Sequence, residues 1–178
     1  MSYKETIESF IYDYPILEFH YLDRKDLIFS EKVRFICEHE CEHYGHSWAC
    51  PPAIGSIQSC IRECEKYSRA FLFSTIAQVE DSLNFEACLK ARKQHEELTL
   101  KLRERFRQEF GDVLALSTGC MQCETCAYPD SPCRHPDNRG ATVESHGIML
   151  MQTVEAMNIC FNYGNDTVTY FTLLFFNA

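Results

Sequence analysis

Four cysteines fall within residues 120–133, as Cys120-x2-Cys123-x2-Cys126-x6-Cys133, and so dense a run of thiols is hard to explain unless something binds to it. Thiolates two residues apart can bend round one soft ion or cluster. Val113–Leu116 reads as a short apolar strand that delivers the chain into Thr118-Gly119-Cys120, so the cysteine segment is expected to leave a strand end as a loop, a common place for function. A disulfide framework would also account for the density. Against it, the chain begins without a charged-then-apolar leader, so no secretion is implied. In a reducing compartment clustered thiols bind metal or act in catalysis rather than bridging. The total of eleven cysteines is odd as well. A cytoplasmic location is the expectation.

The Cys-x2-Cys step resembles the run with which bacterial ferredoxins hold iron-sulfur clusters. It departs from that run in two ways: six residues precede the fourth cysteine, and Arg134-His135 separate Cys133 from Pro136. Zinc also accepts four thiolates, so the ligand set leaves both metals open. A second group, Cys37-x3-Cys41-x8-Cys50-Pro51-Pro52, is one thiol short of a four-ligand shell. A cysteine of the later run, Cys60, Cys64, a histidine or an exogenous molecule would complete it. A four-iron cluster held by three cysteines leaves one iron for substrate, whereas full thiolate ligation suits electron transfer. Cys50 is followed by proline, like the ferredoxin cysteine that crosses to another cluster, so Cys50 and Cys133 are candidates to exchange partners between the groups. Arg134 and His135 flank Cys133 as cofactor-binding candidates, able to hydrogen-bond cluster sulfides or hold an anionic substrate; for Arg134 the plain alternative is pairing with a surface acid.

Within the first group, His39-Glu40-Cys41-Glu42-His43 satisfies H-E-x-x-H, the helical signature of zinc peptidases, with Glu40 as general base. On one helix, however, the pair His39/His43 and the pair Cys37/Cys41 are offset by about 200° and face opposite ways. The hydrolase reading would also leave Cys50 unexplained.

The rest of the chain reads as helices and strands in alternation. Ile7, Phe10, Ile11 and Tyr14 mark an N-terminal helix stopped by Pro15, and Ile16–Leu22 alternates like a half-buried strand. Ser30 is placed to cap a helix through Cys37 and Cys41 to Gly45, and Ser56 one whose face carries Ile57, Cys60, Ile61 and Cys64. Ala70–Ile76 is a buried strand. From Ser82 to Phe110 the stripe Phe85, Cys88, Ala91, His95, Leu98, Leu102 and Phe106 predicts a long helix ended by Gly111. Thr142 would cap a last helix, with Glu144 complementing its dipole and its amides facing the cysteine loop, before an apolar strand over Val168–Phe176. The expected fold is α+β: a mixed central sheet of about four strands covered by helices, with cysteine-rich metal-binding loops, all in one domain over residues 1–178. Cys60, Cys64, Cys88 and Cys160 read as core, and His95 as a hydrogen-bonded core histidine. Trp48, beside Cys50, is either an aromatic lid or packing next to the proline pair.

At 46% hydrophobic residues the chain has enough apolar material for a core, and no apolar run approaches the roughly 20 residues of a membrane span. The net charge of −9 argues against nucleic acid. No glycine-rich phosphate loop is present.

Taken with Tyr44, Trp48, Gly119 and the segment Glu144-Ser145-His146-Gly147-Ile148, the two cysteine groups resemble a prokaryotic family described as predicted metal-binding proteins. That resemblance implies metal ligation by Cys37, Cys41, Cys50, Cys120, Cys123, Cys126 and Cys133, and brings no reaction with it. The expectation is one or two iron-sulfur clusters, of the 4Fe-4S kind, serving electron transfer or redox chemistry, with a redox partner protein. Structural zinc in an interaction module is the alternative.

Overall fold

Two ten-residue strands, buried on both faces over residues 70–74 and 171–176, organise the fold, seen in a computed structural model that describes residues 2–178. β2 (Arg69–Gln78) and β5 (Thr167–Phe176) pair antiparallel along their whole length. Because side chains alternate across a strand, Ala70, Leu72, Leu173 and Phe175 enter one apolar cluster, while Phe71, Phe73, Leu174 and Phe176 enter another. Strands buried on both faces need cover on both. Helices α1 (Tyr3–Ile11) and α4 (Phe85–Phe110) cover one face with Ile7, Phe10, Ile11, Leu98, Leu102 and Phe106. On the other lie Cys64 of α3 (Ile57–Cys64), Val154 of α5 (Leu150–Ala156) and the loop residues Leu27, Val143 and Ile148.

β1 (Glu18–Asp23), β3 (Leu114–Ser117) and β4 (Ala141–Thr142) complete a five-stranded sheet of order β1-β2-β5-β3-β4. Every pair is antiparallel except β3 with β4, so the sheet is mixed. The α+β class and the helical cover are as expected from sequence. The extra strand, β4, has only two residues, too few to show a period.

Helix starts follow their caps. Ser30 Oγ accepts the Lys32 amide at the start of α2 (Glu31–Glu40), and Ser56 Oγ accepts that of Ser59 at α3. Asn84 Oδ1 accepts from the Ala87 amide, and Gly111, at φ +80°, ends α4. Four expectations are corrected. α2 stops at Glu40 rather than running to Gly45, because Glu38, Glu40 and Glu42 place negative charge at its negative end. No helix starts at Thr142; residues 141–142 join the sheet, Glu144–His146 forms a 3-10 turn, and α5 begins only at Leu150. Glu144 therefore complements no α-helix dipole. Phe85 is 90% exposed, on the first turn of α4 ahead of Cys88, whose carbonyl accepts the Tyr170 hydroxyl of β5 at 2.8 Å, and Cys160 is exposed in the loop after α5.

His95 is a core histidine, 1% exposed, with Thr75 Oγ1 and Thr172 Oγ1 each 2.8 Å from its ring nitrogens. Burial disfavours the imidazolium and lowers its pKa to about 4. The unfolded chain, with histidine near 6.5, then binds more protons than the folded one between these values, so stability is complete above about pH 6.5 and lost as pH falls towards 4. The expected loss from pH 7 to pH 5 is about 2 kcal/mol. Urea titrations should show this slope in the parent and not in His95→Gln; an equal slope in both would assign it to other groups.

Among the described residues, no helix is long and apolar enough to cross a membrane.

Candidate metal centre

One polar stripe on α4 fixes where the cysteine loop starts and where it returns. Arg92, Glu96, Thr99 and Arg103 follow at four, three and four residues, beside the apolar stripe that packs on the sheet. Glu96, 6% exposed, accepts three hydrogen bonds on Oε1: from Ser117 Oγ at 2.7 Å, the Thr118 amide at 2.9 Å and Thr118 Oγ1 at 2.5 Å. Arg92 grips the same residue, its Nε donating to Thr118 Oγ1 at 2.9 Å and its Nη2 to the Thr118 carbonyl at 2.7 Å. Burial raises the pKa of Glu96, against the three donors and Arg92. At the far end, Arg103 Nη2 donates to the Asp137 carbonyl at 2.9 Å and to Asn138 Oδ1 at 3.0 Å. The loop ends almost touch: a Cβ on Gly140 would lie 3.0 Å from the Gly119 carbonyl oxygen, and one on Gly119 would lie 3.0 Å from Arg92 Nη2. A side chain at residue 140 would press on backbone, and residue 119, at φ +121°, has a conformation that favours glycine.

Within this loop Cys120, Cys123, Cys126 and Cys133 are half-buried and line one cavity of ≈ 380 Å³, measured out to its solvent mouth. Arg134 and His135 line it as well. Among the described residues Arg134 pairs with no acid; its Nη1 donates to the Thr125 carbonyl at 3.0 Å, bracing the loop. The cavity's other wall comes from the segment between α2 and α3. There the Trp48 amide donates to Cys126 Sγ at 3.3 Å, and Trp48 Nε1 to the Ser131 carbonyl at 2.9 Å. The indole meets Tyr128 edge-on at 4.9 Å. Trp48 thus packs against the cysteine loop and lines its cavity, as a lid would. For Cys126, burial opposes the thiolate, but the amides of Trp48, Tyr128 and Ala127 and the Ser47 hydroxyl outweigh it, and its pKa falls below the usual thiol value.

The first group gathers at the end of α2. Cys37 lies on the helix, Cys41 caps it, and Cys50 follows in the connecting segment. Burial raises the thiol pKa of Cys37, and the charge of Cys41 raises it further. Cys50 is raised likewise by burial and by the charges of Cys41 and Cys37, with the Ser47 hydroxyl and Arg92 opposing. Cys37 and Cys50 thus resist ionisation first because they are buried and then because of neighbouring thiolate charge; a soft divalent ion or cluster would offset both effects and draw off the protons. The charge of Glu144 also bears on Cys37. Ser47 ties the groups together, its hydroxyl interacting with both Cys50 and Cys126. Arg34, 6% exposed, anchors α2 here through the Gly55 carbonyl at 2.9 Å and the Ser145 carbonyl at 2.8 Å.

The H-E-x-x-H geometry does not form. α2 ends before His43, and His39 turns back to stack on Phe35 at 3.9 Å with Nδ1 2.9 Å from its carbonyl. Cys60 and Cys64 are buried, and burial pushes the Cys64 thiol up to about 12, so both behave as core. Cys88 is half-buried. Among the described residues no three Cys, His, Asp or Glu side chains converge as a closed metal-ligating group; the thiols line walls rather than point at one centre. Sequence reasoning missed Ser47, Arg92 and Glu96. The last two were readable from the polar stripe on α4; Ser47 carried no signal.

An α+β sheet with thiol-bearing loops packed together at the β3-β4 edge defines a cysteine-rich protein whose donors suit a soft metal. The chain belongs to the family described as Predicted metal-binding protein (DUF2284), whose profile matches residues 20–176. Neither a curated protein nor a solved structure matches the chain.

Proposed function

We propose that the protein is an iron-sulfur redox carrier, with Cys120, Cys123, Cys126 and Cys133 holding one centre and Cys37, Cys41 and Cys50 a second. The observation that carries this reading is the lining of one cavity by four thiols, one of which already accepts an amide hydrogen bond at 3.3 Å. A bound cluster would supply one-electron transfer. The chain's own residues tune and shelter that chemistry. The Trp48 amide stabilises negative charge on Cys126 Sγ, which favours the reduced state and raises the potential. The indole of Trp48 and the ring of Tyr128 limit water at the cavity, and Arg134 and His135 bring hydrogen-bond donors to its lining. A cytoplasmic carrier of this kind works with a redox partner protein.

Protein purified without oxygen is expected to be brown, to contain iron and acid-labile sulfide in equal amounts, and to give a paramagnetic resonance signal on reduction. Stoichiometric zinc without sulfide would overturn the reading in favour of a structural zinc module.

A further inference from the structure

The segment that closes the cysteine loop also walls a larger cleft, of ≈ 1000 Å³ measured out to its solvent mouth. Arg139 lines both this cleft and the thiol cavity. Beside it in the cleft stand Arg103 and Arg107, four residues apart on α4, where like charges repel. Three acids share the walls: Glu63, Asp112 and Asp137. Glu63 faces His146 Nε2 at 3.5 Å, and Asp112 accepts the Tyr67 hydroxyl at 2.8 Å. Among the described residues none of the three arginines lies within 4.0 Å of a carboxylate oxygen.

Arg103 makes this arrangement costly in an empty cleft. It is 7% exposed, its Nη2 bonds only neutral oxygens of Asp137 and Asn138, and its buried Nε has no partner. A guanidinium so placed makes no ion pair, with the charges of Glu104 and Asp137 acting on it only from a distance, and planar forks of this type match carboxylate and phosphate oxygens. In a chain of net charge −9, three arginines that make no ion pair balance three acids here, so this concavity escapes the negative excess of the rest of the chain.

We infer that this cleft is a binding site for a small organic oxyanion, a carboxylate or phosphate ester, held by Arg103, Arg107 and Arg139. Through Arg139 the bound molecule lies against the wall of the thiol cavity. Binding at the cleft does not depend on which metal the thiols hold, so it stands apart from the iron-sulfur reading.

The test is calorimetric titration of the metal-loaded protein with pyrophosphate and, separately, with citrate at matched ionic strength. Saturable one-site binding of either is expected; pyrophosphate alone assigns the phosphate class, citrate alone the carboxylate class, and both the shared oxyanion chemistry. Arg107→Ala and Arg139→Ala, both at exposed positions, should each weaken binding roughly tenfold, whereas Lys101→Ala, on α4 outside the cleft, should not. No saturable binding of either probe, or equal weakening by Lys101→Ala, would overturn the inference.

Discussion

Glu96→Ala is expected to lower the unfolding free energy by roughly 4 kcal/mol and to reduce the metal content of the purified protein. One carboxylate oxygen takes the Ser117 hydroxyl, the Thr118 amide and the Thr118 hydroxyl, and alanine offers none of them an acceptor. Arg92 would also lose the compensating charge one helical turn away. Some of the loss is recovered, since Ser117 Oγ also sits 2.6 Å from Thr172 Oγ1 and can bond there. Glu96→Gln keeps an acceptor oxygen and should cost only about 1–2 kcal/mol, helped by the burial that already disfavours the charged form. Urea denaturation and metal analysis of the two variants check this together. An alanine variant as stable as the glutamine variant would mean that α4 does not clamp the loop.

Cys50→Ser is expected to remove one centre and spare the other, lowering total metal by about half if both sites are filled. The negative charges that act on Cys50 come from Cys41 and Cys37, which puts it with the first group, while Cys126 accepts the Trp48 amide and lines the other cavity. Metal analysis with paramagnetic resonance decides the matter. Loss of both centres would show that ligands cross between the groups, as the proline after Cys50 suggests from sequence alone. Cys126→Ser should give the complementary result, leaving the centre of Cys37, Cys41 and Cys50 in place.

The large elements were legible because burial writes a period into them. β2 and β5 appear as apolar runs, α4 as a stripe from Ala91 to Phe106, and the helix starts at Ser30 and Ser56 as capping hydroxyls. Where the reading failed, a short-range electrostatic or steric term had overruled the pattern. The acidic run at the end of α2 shortened that helix and dissolved the H-E-x-x-H motif with it. Residues 141–142 carry helix-like spacing onward to Met157, yet two ladder positions beside Leu116 and Ser117 hold them in the sheet. For the candidate site, the residue types announced themselves but their grouping did not. Nothing local in Ser47 or Trp48 says that they lie against a loop almost eighty residues downstream, and only the packed structure supplies that contact.

None of the seven candidate cysteines belongs to either apolar cluster, and the ladder between β2 and β5 closes without any of them. The apolar interior therefore does not depend on these thiols, and for the metal binding proposed above the expected order is a folded scaffold first and metal second. This is the reverse of a small zinc finger, where the ion must come before the fold.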